Sequence, residues 1–240
     1  MSLAGPVGVL GAAGFAYYHA QVPTSQLYGE TIARKPGAGR RIAITYDDGP
    51  NPRFTPQLLE LFERHGAHAT FFQIGKWVER EPGLAREVQA AGHAIGNHTF
   101  NHPTLALCST DRVKEELRLC HEASQAAGIE YAQVDGRSLM RCPWGRRQPL
   151  TLRAVREAGY VPVQWSITGW CWQERRSAES ITEKCLRAGE GDVILLHDGV
   201  HTEPQADRHK SVAATRTVLE RLGGEGYSFV TIPELVKPAP

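Results

Sequence analysis

Short apolar runs alternate with amphipathic segments from Arg40 almost to the end of the 240-residue chain. The apolar runs are rich in β-branched and aromatic residues and are bounded by polar residues or glycine, as strands are. The strand-like runs are Arg41–Tyr46, Ala69–Ile74, His93–His98, Tyr160–Ile167, Asp192–His197 and Tyr227–Ile232. Strands separated by helices predict βα units around a parallel sheet. About six or seven such units favour one barrel-like α/β domain, complete or incomplete, over two small domains.

The segments between these runs have the apolar spacing of amphipathic helices. Helices are predicted over Thr55–Gly66, Glu81–Gly92, Asp111–Gly128 and Ser177–Gly189. In the first, Leu58, Leu59 and Phe62 fall on one stripe. In the last, Ser180 and Glu183 have the spacing of a capping box.

Charge and cysteine content exclude several classes of protein. Lys and Arg number 27 against 26 Asp and Glu, so the chain lacks the basic excess that a nucleic-acid partner requires. No glycine-rich nucleotide-binding motif follows a strand-like run. The five cysteines include no Cys-x-x-Cys pair, which argues against a zinc knuckle or a redox dithiol and favours small buried thiols. Disulfides stay open at this point.

The first 20 residues are apolar but contain four glycines, and the first charged residue is Glu30. A membrane span needs about 20 strongly apolar residues, and this glycine-rich stretch falls short of that. A signal peptide has Lys or Arg ahead of its apolar run, and this stretch has neither. Two interpretations stay open, the remnant of a membrane anchor and a helix that packs on the domain. Contact with a membrane is expected only through this segment, and the sequence does not indicate the oligomeric state.

Acids and imidazoles follow three of the strand-like runs. The first run leads into Asp47 and Asp48, the third into His98 and His102, and the fifth ends at His197. Reactive groups in parallel α/β proteins gather at the carboxyl ends of the strands, so these side chains are expected to converge.

The pair His98 and His102 has the spacing that places two imidazoles on one face of a helical turn. Two imidazoles and a carboxylate bind a borderline metal ion and leave a coordination position open. Alone, each motif has a simpler interpretation, two surface histidines in one case and a turn at Asp47-Asp48-Gly49-Pro50 in the other. Together they favour a metal site, because adjacent carboxylates need a cation or an arginine nearby.

Four motifs then appear in order along the chain. They are Thr45–Pro50, His98–Pro103, Arg141–Gly145 and Leu195–Asp198. This set closely resembles the polysaccharide deacetylases of carbohydrate esterase family 4, whose domain is also called the NodB-homology domain. The resemblance implies a single distorted (β/α) barrel, seven-stranded and incomplete, as the catalytic domain over residues 40–236, with residues 1–39 as an N-terminal segment.

The resemblance also implies roles for particular residues. The implied metal ligands are Asp48, His98 and His102. The implied catalytic residues are Asp47 as general base, Arg141 as the residue that orients it, and His197 as general acid. The implied oxyanion hole and acetyl-methyl groove are formed by the Trp144 backbone N–H, Leu195 and Trp172. The implied cofactor is a divalent ion, zinc first, with cobalt, nickel or manganese as alternatives.

The implied activity is metal-dependent hydrolysis of N-acetyl groups on a glycan, of the peptidoglycan or chitin-oligosaccharide type. Two alternatives stay open. One is the same fold acting on an O-acetyl xylan, a lipid-linked sugar or a small amide. The other is a weakly active glycan-binding pseudoenzyme. The implied location is the cell envelope or the outside of the cell, with the cytoplasm left open.

One position departs from the family pattern. Cys171 stands where the fourth motif of the family carries an aspartate that supports the catalytic histidine. A thiol is a weak hydrogen-bond partner. Either Asp198 or Asp192 substitutes, or His197 is a poorer acid in this chain. The tryptophans around this motif pack in the core or stack on sugar rings.

Overall fold

The computed structural model describes residues 6–238, which form nine strands and nine α-helices. The strands are β1 (Arg41–Asp47), β2 (Thr70–Gln73), β3 (Ala94–Asn97), β4 (Gln133–Val134), β5 (Arg137–Met140), β6 (Tyr160–Pro162), β7 (Ile167–Thr168), β8 (Val193–His197) and β9 (Ser228–Phe229). The helices are α1 (Pro6–Gln21), α2 (Thr55–Arg64), α3 (Gly75–Arg80), α4 (Pro82–Ala90), α5 (Thr110–Ala126), α6 (Pro149–Glu157), α7 (Ala178–Cys185), α8 (His209–Gly224) and α9 (Ile232–Val236).

Seven strands form a parallel sheet in the order β6-β5-β3-β2-β1-β8-β7. β4 pairs antiparallel with β5, and β9 pairs with the first residues of β1. Within residues 6–238 the end strands β6 and β7 do not pair with each other, so the sheet does not close. The predicted distorted and incomplete (β/α) barrel is confirmed.

The open side of the sheet is bridged by the chain that precedes β1. The Ile32 N–H donates to the Pro162 carbonyl at 3.0 Å, and the Gln164 N–H donates to the Ile32 carbonyl at 2.8 Å. Three residues later, the Lys35 N–H donates to the Gly191 carbonyl at 2.8 Å. Residues 32–35 therefore connect the end of β6 to the start of β8.

The main core lies between the sheet and its helices. Tyr46 on β1 stacks on Phe71 of β2 with ring centroids 5.0 Å apart and meets Phe62 of α2 edge to face. The Tyr46 hydroxyl is 2.6 Å from that of Thr215 on α8, so its polar end is paired inside the core. Across the described residues all five cysteines are free thiols, and four of them are buried. These contacts fix β1, the strand that ends at Asp47 and leads into Asp48.

Several predicted elements differ in detail from the structure. The run Tyr160–Ile167 is divided into β6 and β7, while β4, β5 and helices α3, α6 and α8 were not predicted from their patterns. The predicted capping box at Ser180 is wrong, because the N-cap of α7 is Ser177, whose hydroxyl accepts the Ser180 N–H at 3.2 Å.

The apolar N-terminal stretch forms the 16-residue helix α1. Residues 1–5 of the predicted N-terminal segment lie outside the described residues. Among the helices of residues 6–238, none has both the length and the apolar character needed to cross a bilayer.

Candidate active site

The carboxyl ends of the central strands meet at one cavity of about 1060 Å³. Asp47 ends β1 and His197 ends β8, and the two residues are register partners across these strands. His98 directly follows β3, and Arg141 directly follows β5. The parallel topology therefore brings together side chains that are far apart in sequence. The predicted residues that line the cavity are Asp47, Asp48, His98, His102, Trp144, Leu195, Trp172 and His197, while Arg141 lies buried behind it.

Asp48, His98 and His102 form a compact, buried cluster. The Asp48 Oδ1 atom is 3.4 Å from Nε2 of His98 and 3.2 Å from Nε2 of His102. Among the described residues these three offer ligand atoms that all lie within 4.8 Å of one another. Asp48 Oδ1 is buried without a hydrogen-bond partner, which is rare for a carboxylate oxygen. Two imidazole nitrogens and one carboxylate oxygen are a donor set that fits zinc or a similar divalent ion.

A second contact orients the His98 ring. Its Nδ1 atom is 2.9 Å from the Arg141 carbonyl oxygen. Because a carbonyl only accepts, the hydrogen lies on Nδ1, and the lone pair of Nε2 points toward Asp48. The backbone of the Arg141 motif thus turns Nε2 of His98 toward the cluster.

The charges of the cluster are strongly coupled. Burial acts to raise the pKa of Asp48, but the neighbouring His102 and His98 imidazoles outweigh it and hold that pKa well below its ordinary value. Burial acts to lower the pKa of His98, but the carboxylates of Asp47 and Asp48 outweigh it and raise that pKa. A proton therefore competes for the nitrogen that a metal ion would use.

Asp47 is held by the buried guanidinium of Arg141. The Arg141 Nη1 atom donates to Asp47 Oδ1 at 2.7 Å and to Thr45 Oγ1 at 2.8 Å. The guanidinium also donates to the Gln164 carbonyl at 3.0 Å. The other carboxylate oxygen, Asp47 Oδ2, lies 3.8 Å from Nε2 of His98. One oxygen of Asp47 is fixed by the arginine, and the second is left on the side of the metal-ligand candidates.

His197 has a thiol as its nearest polar partner. The Cys171 Sγ atom is 3.3 Å from His197 Nδ1, and the Trp172 ring meets the imidazole edge to face. Burial raises the pKa of the Cys171 thiol and lowers the pKa of His197 to about 4. At neutral pH a protonated thiol therefore faces a neutral imidazole. A thiol donating to Nδ1 leaves the ring hydrogen on Nε2.

The aspartates considered as substitutes for the missing acid do not contact His197. Asp198 accepts from the Thr55 hydroxyl at 2.5 Å, and Asp192 accepts from the Ser166 hydroxyl at 2.8 Å. The hypothesis that either one supports His197 is wrong. The two aspartates flank opposite ends of β8 and accept from different hydroxyls, which sequence order alone does not reveal.

The backbone is strained around this cavity. Among residues 6–238, six residues other than glycine have positive φ. Five belong to the cavity or its ligand loop: Asp48, Thr99, His102, Trp144 and Trp170. Each such conformation costs roughly 1–3 kcal/mol and persists only where the surroundings impose it. The strain turns two of the metal-ligand candidates and the Trp144 peptide into their positions.

The tryptophans divide into two groups. Trp144, Trp170 and Trp172 remain 53%, 40% and 39% exposed at the cavity, where they offer flat apolar faces. Trp165 also lines the cavity, but it is partly buried and its ring packs under the turn at Gly145. The first three are therefore accessible at the cavity, whereas Trp165 is packed against the chain; stacking on sugar rings stays a prediction for the three exposed rings.

Two parts of the cavity were not predicted from the sequence. The His201 ring stacks on that of His102 at 4.5 Å and meets Trp144 edge to face at 5.0 Å. Gln21, the last residue of α1, and the following Pro23 and Thr24 also line the cavity. His201 stands in a loop and the N-terminal residues stand before β1, so no strand end or motif marks them.

A family model described as "Polysaccharide deacetylase" matches residues 34–163, which is more than half of the chain. The chain belongs to the polysaccharide deacetylase family. The family predicted from the four motifs, and with it the predicted class of hydrolase, is confirmed.

This chain is similar to several named deacetylases and to solved structures. It is 37% identical over 201 residues to a chitooligosaccharide deacetylase of Azorhizobium caulinodans, covering 80% of this chain and 92% of that protein. It is also 37% identical over 209 residues to a peptidoglycan-N-acetylglucosamine deacetylase of Bacillus cereus, covering 84% and 91%. A crystal structure of a peptidoglycan N-acetylglucosamine deacetylase in complex with 4-naphthalen-1-yl-N-oxidanyl-benzamide has a TM-score of 0.75 at 30% identity, covering 87% of this chain and 94% of that one.

Proposed function

We propose that this chain is a metal-dependent deacetylase that removes N-acetyl groups from a glycan of the peptidoglycan or chitin-oligosaccharide type. The observation that carries the proposal is the cluster of Asp48, His98 and His102 with Asp47 beside it on the buried Arg141. Two of its relatives are named as a chitooligosaccharide deacetylase and a peptidoglycan-N-acetylglucosamine deacetylase, which supports the substrate class.

In this proposal Asp48, His98 and His102 hold one divalent ion. Zinc fits the two imidazoles and one carboxylate best, with cobalt, nickel and manganese as alternatives. Such an ion supplies a Lewis acid for the acetyl carbonyl and lowers the pKa of a bound water.

Asp47 is the general base. Its Oδ2 atom, on the side of His98, accepts the proton of the attacking water, while Oδ1 stays bonded to Arg141. Arg141 is fully buried, so the direction of the carboxylate is fixed before substrate arrives. The backbone N–H of Trp144 binds the negative charge that develops on the acetyl oxygen, a contact commonly worth about 3 kcal/mol.

His197 is the general acid and donates a proton to the departing nitrogen. Its partner Cys171 is neutral and does not stabilise the imidazolium, so the supply of protonated His197 is small at neutral pH. Leu195 and Trp172 form the apolar surface against which the acetyl methyl packs. We place the protein in the cell envelope or outside the cell, where such glycans occur, with membrane contact limited to the N-terminal segment.

The test is acetate release from chitooligosaccharides and from peptidoglycan by the protein loaded with zinc. Activity is expected with the metal, loss of activity with a chelator, and recovery when zinc is restored. Asp47→Asn is expected to lower kcat by more than about 100-fold while zinc still binds, because the variant keeps every metal ligand. The absence of metal-dependent acetate release from both glycans would contradict the proposal.

A further inference from the structure

Arg147 is buried without a carboxylate partner among the described residues. Its Nη2 atom donates to the carbonyls of Val22, Pro23 and Ser25 at 2.6, 3.3 and 3.0 Å. Its backbone N–H donates to the Ala20 carbonyl at 3.3 Å. One side chain therefore clamps a whole turn of the N-terminal segment. A buried charge neutralised by carbonyl dipoles alone is an expensive arrangement.

The clamped segment is a wall of the candidate active site. Gln21, Pro23 and Thr24 line the same cavity as the metal-ligand candidates. The adjacent Arg146 holds the wall from the other side, because its Nε atom donates to Gln21 Oε1 at 3.3 Å. The Thr24 side chain is exposed to the cavity.

Arg147 also contacts the turn that contains Trp144 and Gly145. Arg147 Nη1 also donates to the Gly145 carbonyl at 3.2 Å, one residue after the strained Trp144 peptide. Residues 144–147 thus connect the oxyanion position to the N-terminal wall. A shift of the wall would be felt at Trp144.

The cavity is also larger than one acetylated sugar requires. Its volume of about 1060 Å³ lies just above the range for small-molecule pockets, roughly 300–1,000 Å³. The wall and Trp144 line the same cavity, and residues 20–25 precede the part of the chain that the family model matches.

We propose that residues 20–25, held by Arg147, form a sugar-binding subsite for a ring adjacent to the one that is deacetylated. The substrate is then an oligosaccharide, and Arg147 is a positioning residue that selects for chain length. This inference rests on the proposed function of the cavity. It also explains why a fully buried arginine donates to the carbonyl oxygens of a segment outside the barrel.

The test compares acetylated chitobiose with acetylated chitopentaose. Thr24→Arg places a long hydrated side chain on the wall without disturbing the core. It is expected to raise KM for the pentamer about fivefold, the loss of about one hydrogen bond, and to leave the dimer within about twofold. Thr110→Arg, at an exposed threonine outside the cavity, is the matched control and is expected to change neither substrate.

Arg147→Lys keeps the charge but loses the fork that reaches three carbonyls. It is expected to raise KM for the pentamer and also to lower kcat on both substrates, through the Trp144 turn. Equal KM changes on dimer and pentamer in both variants would overturn the proposal. Should Arg147→Lys fail to fold, Thr24→Arg decides alone.

Binding of the pentamer to chelator-treated protein separates this inference from the proposed function. Weaker pentamer binding by Thr24→Arg than by the Thr110→Arg control supports the wall even if no acetate is released. Active wild-type protein whose pentamer binding is unchanged by Thr24→Arg refutes the wall and leaves the deacetylase proposal standing. Wild-type protein that binds no pentamer also refutes the wall.

Discussion

Replacing Cys171 by aspartate is expected to raise the fraction of His197 that carries a proton at neutral pH. The thiol lies 3.3 Å from His197 Nδ1, and burial lowers the pKa of the imidazole to about 4. With that pKa, about one molecule in a thousand carries the proton at pH 7. Activity that depends on protonated His197 therefore falls as the pH rises above 4.

The size of the effect follows from charge and distance. Two unit charges about 4 Å apart interact by about 4 kcal/mol at an effective dielectric constant of 20, which is about three pKa units as an upper bound. Burying the new carboxylate offsets part of this gain. The His197 pKa is then expected to rise by about 1–2 units, and kcat/KM at pH 7 by about tenfold, since a higher pKa also makes a weaker acid.

The assay is the pH profile of kcat/KM for acetate release by the zinc-loaded protein. The basic limb of the profile is expected to move to higher pH in Cys171→Asp. Cys171→Asn is the control, because it has nearly the same shape without the charge and is expected to leave the limb in place. A limb that stays fixed in the aspartate variant, or moves equally in both, would refute the electrostatic role of this position.

Two further outcomes test the site. Zinc affinity is expected to fall by about tenfold per pH unit as the pH drops below the raised pKa of His98, because the proton and the ion compete for one nitrogen. Zinc titrations at several pH values check this prediction. A zinc affinity that does not change with pH would contradict it. Gly49→Ala is expected to lower the free energy of unfolding by about 1–3 kcal/mol, because its Cβ would lie 2.2 Å from the Asp198 carboxylate. In the control Gly83→Ala the Cβ meets no atom within 4 Å, so denaturant unfolding should show no loss of stability there.

The residues that sequence patterns locate are those at strand ends. Asp47, Asp48, His98 and His197 follow β-branched runs, and parallel strands bring such ends to one edge, so their convergence was predictable. Contacts between parts of the chain that are distant in sequence and lie outside the strand ends were not predictable. The contact between Cys171 and His197 joins a loop to the end of β8, and it depends on how distant parts of the chain come together rather than on any local pattern.

The N-terminal contribution escaped prediction for a related reason. Ile32 has no alternating neighbours and forms only a single bridge, to Val163, so it carries no strand signal. Arg147 appears in the sequence as one of two adjacent arginines, and its burial is decided by the carbonyls of a segment more than 100 residues earlier. β5 begins with the exposed Arg137, and the four-residue strand is too short to show a period.

The bridge made by residues 32–35 covers the free edge at the end of β6 and the start of β8. Without it, the backbone groups of Pro162, Gln164 and Gly191 would be left to pair with water or with another molecule. Uncovered strand margins are templates for pairing between chains. A fragment that starts at residue 40 would keep every candidate catalytic side chain and still be prone to self-association, so the stretch before β1 protects the protein in solution.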